Sequence, residues 1–246
     1  MDRLYIVMPV YNEEANLRKT VESWYPVCEA AGEASLLLID DGSRDRSPEI
    51  LAELCALYPR LEYFSKENEG HGPTIHRAYR EALDRGADYV FQTDSDGQTD
   101  PDDFRQMWEK RAAYKMQIGR REKREDGFSR KFVSFVLRVV LFLFFGEWTE
   151  DPNTPFRLME ADCLERFIRI IPPDFGLTNA VLSVFAAYSG VSMRYVPVHF
   201  APRQGGVNSI NLPRIVRMAL ENMKRFPALR RAMRRQLKGE NKDAES

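Results

Sequence analysis

Through its first half this chain alternates short apolar runs with helix-like stretches, and that alternation narrows the architecture to one class. Leu4-Tyr5-Ile6-Val7-Met8 reads as a buried strand, followed by a helix over about Glu13 to Ala30 that Asn12 caps and that carries Glu13 and Glu14 in its first turn. Ser35-Leu36-Leu37-Leu38-Ile39 is the second strand, and a helix over about Arg46 to Tyr58 follows it. Leu61-Glu62-Tyr63-Phe64 resumes a strand, the turn Glu69-Gly70-His71-Gly72 opens a helix near Thr74 to Arg85, and Tyr89-Val90-Phe91-Gln92-Thr93 is the next strand. Repeated strand-turn-helix units predict an α/β domain with a mostly parallel sheet flanked by helices, whose ligands sit just past the carboxyl ends of the strands.

The second half is less regular. A short strand is expected near Met116-Gln117-Ile118, then a basic loop, an apolar helix from Phe132 to Phe145, a loop from Glu150 to Thr154, further helices and a late strand over Met193 to Val198. From Leu212 the sequence is helical and strongly basic. The expected division is a domain over 1–210, a basic helical tail over 211–238 and a disordered end over 239–246. With 246 residues, 43% of them hydrophobic, the chain can bury one sizeable core without staples. Cys28, Cys55 and Cys163 are far apart, show no metal-ligand spacing and read as small core residues of a reducing compartment.

The net charge of −1 hides an asymmetry: residues 1–110 carry 12 Lys and Arg against 23 Asp and Glu, and residues 111–246 carry 24 against 14. An acidic half that handles cations and a basic half that faces phosphate or lipid is the functional reading, and uneven surface decoration the bland one. Met1-Asp2-Arg3 leads directly into a short apolar stretch ending at Pro9, which predicts no signal peptide and a cytoplasmic location. The run from Phe132 to Phe145 is interrupted by Ser134 and Arg138 and falls short of the roughly 20 residues a spanning helix needs. It is expected either to lie on a membrane, with Phe132, Phe135, Val136, Val139, Phe142 and Leu143 on one face, or to be an internal core helix.

The residues richest in chemistry are Thr93-Asp94-Ser95-Asp96-Gly97-Gln98, immediately after a buried strand. Asp94, Asp96 and Gln98 place three oxygen ligands on alternating positions, a set suited to Mg²⁺ or Mn²⁺ with substrate phosphates and water completing the shell. A turn rich in Asp and Gly is the structural alternative. The three histidines, His71, His76 and His199, show no metal-ligand spacing.

This segment resembles the DxD motif of GT-A (Rossmann-like) glycosyltransferases, and Gln98 narrows the resemblance to dolichyl-phosphate mannosyltransferase-like enzymes of glycosyltransferase family 2. Pro9-Val10-Tyr11-Asn12-Glu13-Glu14 and Asp40-Asp41-Gly42-Ser43-Arg44-Asp45 look like that family's first two nucleotide-binding motifs, one aspartate of the second contacting the base. Asn68, Gly70 and Gly72 match its next turn, and Gly119-Arg120-Arg121 matches the strand end that presents an arginine to phosphate. Arg130-Lys131 opens the apolar helix as in the lipid-phosphate enzymes, Asp151 to Leu158 resembles the later Asp-led loop and strand, and Arg203 followed by Gly206, Asn208 and Ser209 resembles the donor-covering segment. The likeness covers roughly residues 4 to 215.

The resemblance implies a metal-dependent, inverting transferase of a nucleotide-diphosphate sugar. Pro9, Tyr11, Glu13, Asp40, Asp41, Asn68, Gly70, Asp94 and Ser95 would bind the donor, and Asp94, Asp96 and Gln98 the metal. Asp96, Asp151 and Arg203 would be catalytic, and Arg121, Arg130, Lys131 and Ser209 would hold an acceptor phosphate. Asn12, Asp41, Gly70 and Gly72 also have purely structural readings, as a cap and as turn formers. The favoured acceptor is a polyprenyl phosphate at the inner membrane face, which needs no general base because a phosphomonoester is already anionic. A second reading has a sugar hydroxyl as acceptor and Asp151 of the Glu150-Asp151 pair as base, and a third a non-catalytic nucleotide-sugar-binding protein. The QxxRW motif of processive synthases and the carboxy-terminal transmembrane helices of many lipid-phosphate members are absent, and nothing resembles a nucleic-acid reader.

Overall fold

A computed structural model describes residues 2–121, 128–201 and 221–244, with side chains described outside 128–132 and 240–244. Among these residues seven strands form one sheet: β1 Leu4–Val10, β2 Ala34–Asp40, β3 Leu61–Ser65, β4 Tyr89–Thr93, β5 Met116–Arg121, β6 Phe156–Glu160 and β7 Met193–Val198. The spatial order is β3-β2-β1-β4-β6-β5-β7. β6 runs antiparallel to both β4 and β5, and every other pairing is parallel. The helices are α1 Leu17–Ala30, α2 Ser47–Leu57, α3 His71–Asp84, α4 Asp102–Glu109, α5 Phe128–Phe145, α6 Ala161–Ile168, α7 Thr178–Tyr188 and α8 Phe226–Ala244.

Alternation along β1 divides the core into two layers. Ile6 and Met8 join Leu36, Leu38 and Phe91 against Leu17, Val21, Trp24 and Cys28 of α1, Leu51 and Leu54 of α2 and Phe104 of α4. Val7, with Leu37, Ile39 and Val90, packs on the opposite side against α3, α6 and α7. Trp24 centres the first layer, its ring 5.3 Å from Phe91 and 6.1 Å from Phe156. Truncating it to Ala would cost about 3–5 kcal/mol. Burial drives the Cys28 and Cys163 thiols up to about 12, which keeps them protonated and inert.

The apolar helix is in part a core helix. Leu137, Val140, Leu141, Phe144 and Phe145 of α5 pack into the core, where the rings of Phe144 and Phe145 each lie 5.4 Å from Phe226 of α8. Phe135, Val136, Phe142 and Leu143 point outward, Leu143 with 72% of its surface exposed, and Trp148 extends that face beyond the helix. The helix begins at Phe128, four residues before the expected start. No helix among the described residues is long and apolar enough to cross a membrane.

α8 packs on the domain: Phe226, Leu229 and Met233 are buried in the core, and Arg225, just before it, forks onto Asp174 at 2.7 and 3.1 Å. It runs to Ala244. The expected domain boundary at 210 lies outside the described residues.

Candidate active site

Strand direction gathers the candidate residues on one edge of the sheet. The carboxyl ends of β1, β2, β3 and β4 lie together because these strands are parallel. The antiparallel β6 enters at the same edge, where Phe156 pairs with Thr93, so the preceding loop 151–155 arrives beside Asp94 in register. β5, antiparallel to β6 in turn, delivers Arg121 to that edge, opposite Val198 of β7. Residues distant in sequence thus meet where an open α/β sheet binds ligands.

The loops after β1 and β2 are cross-bonded into one unit. The Asn12 amide donates to Ser43 Oγ at 2.9 Å, and Asn12 Oδ1 accepts from the Arg44 amide at 2.8 Å. These bonds hold Asn12 at φ 54°, the left-handed region that Asn tolerates better than most residues. Asn12 is therefore a loop staple and not a helix cap: α1 starts only at Leu17, after a turn in which the Glu13 carbonyl accepts from the amides of Asn16 and Leu17. Glu13 is buried, its Oε2 accepts from Asn16 Nδ2 at 3.0 Å, and its amide donates to Ser47 Oγ. Glu14 and Asp45 complete the seam, each accepting a backbone N–H from the other loop. Burial alone would raise the Asp45 carboxyl, but hydrogen bonds from Ser47 and the Glu14 amide pull it below the usual range. Tyr11 stays exposed beside this seam.

Asp41, one of the two aspartates expected at the nucleotide, also organises the neighbouring loop. Its buried carboxylate accepts from Lys66 Nζ, from the amides of Glu69 and Gly70 at 2.9 Å each, and from Asn68 Nδ2 at 3.2 Å. It is the hub that shapes the 66–70 loop. Gly70 sits at φ 95°, a conformation open to glycine, and its amide can then point back at Asp41. Gly72 is required for a different reason, since a Cβ there would lie 2.5 Å from the backbone of Phe175 and Gly176. Asp40 is buried too, and its Oδ1 accepts from the Ser43 amide at 3.1 Å.

The Asp94-Ser95-Asp96 turn alternates as its spacing suggested. Ser95 points inward and donates to the Pro9 carbonyl at 2.7 Å, while its own carbonyl accepts from Thr20. That bond welds the end of β4 to the end of β1, which gives the Ser95 hydroxyl a scaffolding role. Asp94 and Asp96, by contrast, are half-buried. Asp96 Oδ1 accepts the Gln98 amide at 3.1 Å. Gln98, the expected third metal ligand, donates through Nε2 to the Ala201 carbonyl at 2.8 Å. Among the described residues no group of three or more His, Cys, Asp or Glu is gathered as a metal site. Two half-exposed carboxylates on alternate residues nonetheless suit a hard divalent cation whose remaining ligands are phosphate oxygens and water.

Several contacts around this turn carried no sequence signal. His71 Nε2 lies 3.4 Å from Asp94 Oδ1. Desolvation lowers the His71 pKa, but the hydrogen bond and charge of Asp94, with Asp41 behind, outweigh it and leave the imidazole raised. Beneath Asp94 lies a buried polar group made of Gln92, Tyr79 and Asn179, from three separate elements. Arg157 is wholly buried, and its guanidinium donates to the carbonyls of Pro152, Thr154 and Asn179 and to Ser183 Oγ. Arg157 stood in a recognised motif, but only the fold reveals that it ties the 152–154 loop to α7.

Asp151 is 6% exposed, and its Oδ2 lies 3.9 Å from Arg121 Nε, whose guanidinium stacks 4.6 Å from the Phe200 ring centroid. The pair brings together the expected catalytic carboxylate and one expected phosphate-binding arginine. Arg203 and Ser209 lie outside the described residues, as do the side chains of Arg130 and Lys131.

Comparison with known proteins agrees with this arrangement. The family described as Glycosyl transferase family 2 matches residues 5–160. Curated relatives include the undecaprenyl-phosphate 4-deoxy-4-formamido-L-arabinose transferases of Salmonella paratyphi B and Salmonella newport, each 23% identical over 220 residues, or 88% of this chain. The chain spans 65% of their length. Among solved structures, glucosyl-3-phosphoglycerate synthase from Mycobacterium tuberculosis in complex with Mn²⁺ and uridine-diphosphate-glucose superposes with a TM-score of 0.66 at 16% identity, over 92% of this chain and 79% of that one. S. aureus TarS 1-349 in complex with UDP-GlcNAc gives 0.61 at 14% identity, over 94% of this chain and 72% of that one.

Proposed function

The chain belongs to glycosyl transferase family 2, and within that family we propose that it moves a sugar, with inversion, from a nucleotide-diphosphate donor to a polyprenyl phosphate at a membrane surface. The observation that carries the donor half is the Asp94-Ser95-Asp96 turn, whose serine is bonded inward while the carboxylates stand at the strand ends beside the β1 and β2 loops. Tyr11, Glu13, Asp40, Asn68 and Gly70 frame the nucleotide, and Asp94 and Asp96 would hold Mg²⁺ or Mn²⁺, which would supply charge neutralisation to a diphosphate leaving group. The curated relatives, named as undecaprenyl-phosphate transferases, support the acceptor half.

A phosphate acceptor arrives ionised, so this chain has to hold and aim it without taking a proton. Arg121 grips it from the described side of the site, and Arg130, Lys131 and Ser209 complete that clamp on the strength of the sequence alone. Arg203, on the same footing, covers the donor. The outward face of α5 lies against acyl chains while Arg231, Arg235 and Lys238, exposed on the adjoining α8, face anionic headgroups. The second reading, a sugar hydroxyl as acceptor, draws support from the burial of Asp151, which suits a base shielded from water. The test is transfer from a panel of Mn²⁺-loaded UDP- and GDP-sugars to undecaprenyl phosphate in vesicles, with oligosaccharides as competing acceptors. Transfer to the lipid supports the proposal, and transfer to oligosaccharides alone supports the second reading.

A further inference from the structure

Gln92 is a fully buried amide in the middle of the sheet, a placement that is costly unless every polar atom is satisfied. Its Oε1 accepts from Asn179 Nδ2 at 2.9 Å, and Asn179 Oδ1 lies 2.9 Å from the Tyr79 hydroxyl. Tyr79 has one proton, and its hydroxyl lies 2.9 Å from both Asn179 Oδ1 and Gln92 Oε1; given to Asn179, that proton starts a chain in which every donor points the same way, Tyr79 to Asn179, Asn179 to Gln92 and Gln92 to Asp94, and given to Gln92 it fixes the same amide orientation directly. The last link spans 3.5 Å, from Gln92 Nε2 to Asp94 Oδ1. Reversing the Gln92 amide would set its oxygen against a carboxylate and its nitrogen against the Asn179 nitrogen, so only one orientation is compatible with the neighbours. Arg157 fixes the far end by donating to the Asn179 carbonyl at 3.0 Å, with its other nitrogens on Pro152 and Thr154.

We propose that Gln92 is a positioning residue for Asp94: the directional relay from Tyr79 through Asn179 holds the Gln92 amide N–H on Oδ1, so that Oδ2 is the oxygen presented to the donor and its divalent cation. This rests on the reading of Asp94 as a donor-side ligand. Groups that orient a metal-binding carboxylate typically change metal affinity 10–100-fold when lost. A residue serving the core alone would change stability and leave that affinity unmoved.

The experiment titrates Mn²⁺ into the full chain with UDP or GDP and reads nucleotide binding by calorimetry, repeated with EDTA. Variants are Gln92→Met, Tyr79→Phe and Asp94→Asn. Gln92→Met is expected to raise the Mn²⁺ midpoint about tenfold while EDTA-resistant nucleotide affinity stays put, and Tyr79→Phe to raise it by a smaller factor. Should Gln92→Met fail to fold, Tyr79→Phe carries the test. A normal midpoint in the folded Gln92 and Tyr79 variants, with Asp94→Asn shifted, overturns the relay alone. A normal midpoint in Asp94→Asn overturns the donor-side reading, and the relay with it.

Discussion

The Lys66 ammonium donates to Asp41 Oδ1 and completes a ring of four donors around a single buried carboxylate. A side chain so fully engaged is a loop organiser, and its removal leaves backbone N–H groups and a cation without their acceptor. We expect Asp41→Ala to cost about 3 kcal/mol, which lowers the thermal midpoint by about 6–12 °C for a chain of this size. Nucleotide affinity should fall with it. Normal thermal stability combined with lost nucleotide affinity would make Asp41 the aspartate that contacts the base.

Asp96 should behave in the opposite way. It is half-buried on a turn, and an Asn there still accepts the Gln98 amide, so Asp96→Asn is expected to unfold within about 1 °C of wild type. Mn²⁺-promoted binding of UDP or GDP should weaken at least tenfold. Calorimetry beside differential scanning measures both, and unchanged Mn²⁺ dependence would remove Asp96 from the metal site.

The contrast between these two aspartates marks how far the sequence could be read. A strand run such as Leu4–Val10 announces itself through composition, because a strand covered on both faces has to be apolar throughout. The Asp94–Asp96 alternation was legible for the same local reason. What a carboxylate faces is set by residues far away: Asp41 by Lys66 and the amides of 69 and 70, Ser95 by a carbonyl at Pro9. The motif therefore located these side chains without distinguishing ligand from scaffold. Gln92, Tyr79, Asn179 and the bonding of Arg157 left no trace in spacing, since their meeting depends on β4, α3, α7 and β6 packing together.

His76 gives the chain a pH dependence of known sign. It is buried, with Nε2 2.9 Å from the Ile171 carbonyl and 3.3 Å from that of Ile168. Burial lowers its pKa, and the carbonyl hydrogen bonds oppose this only in part. The unfolded chain then takes up a proton below about pH 6.5 before the folded chain does. This contribution is complete above that value and is lost as pH falls towards the folded pKa, at up to about 1.4 kcal/mol per pH unit. Urea midpoints at neutral and mildly acidic pH should differ less in His76→Gln than in wild type; an equal difference would assign the dependence to other groups.

The outward face of α5 predicts a membrane contact that can be separated from folding. Leu143 is 72% exposed, so Leu143→Glu removes nothing from the core and should leave the thermal midpoint unchanged. If that face enters a bilayer, the loss of one buried leucine costs about 1.5–3 kcal/mol, or roughly a tenfold to hundredfold drop in vesicle partitioning. Replacing Arg235 and Lys238 by Gln should remove about 1 kcal/mol each, on phosphatidylglycerol-containing vesicles and not on phosphatidylcholine alone. Flotation assays compare the two, and wild-type partitioning in Leu143→Glu would exclude this face from the contact.

The acceptor can be decided at Asp151, because a phosphate nucleophile needs no base and a hydroxyl does. Asp151 is nearly buried and 3.9 Å from Arg121, so under the lipid-phosphate reading it steadies the arginine that receives the acceptor. Asp151→Asn should then raise KM for undecaprenyl phosphate, lower kcat by less than about tenfold, and leave the shape of the pH–rate profile intact, because no proton passes through the carboxylate. Arg121→Lys should copy that pattern, since it loosens the same contact from the other side. Under the hydroxyl reading Asp151 takes the proton in the transition state, and its loss costs about 10²–10⁴-fold in kcat. The acidic limb of the profile would vanish with it, while Arg121→Lys would retain that limb. Steady-state kinetics of both variants with both acceptors separate the two: a kcat collapse confined to Asp151→Asn, without loss of stability, makes Asp151 the base and replaces the lipid phosphate by a sugar hydroxyl.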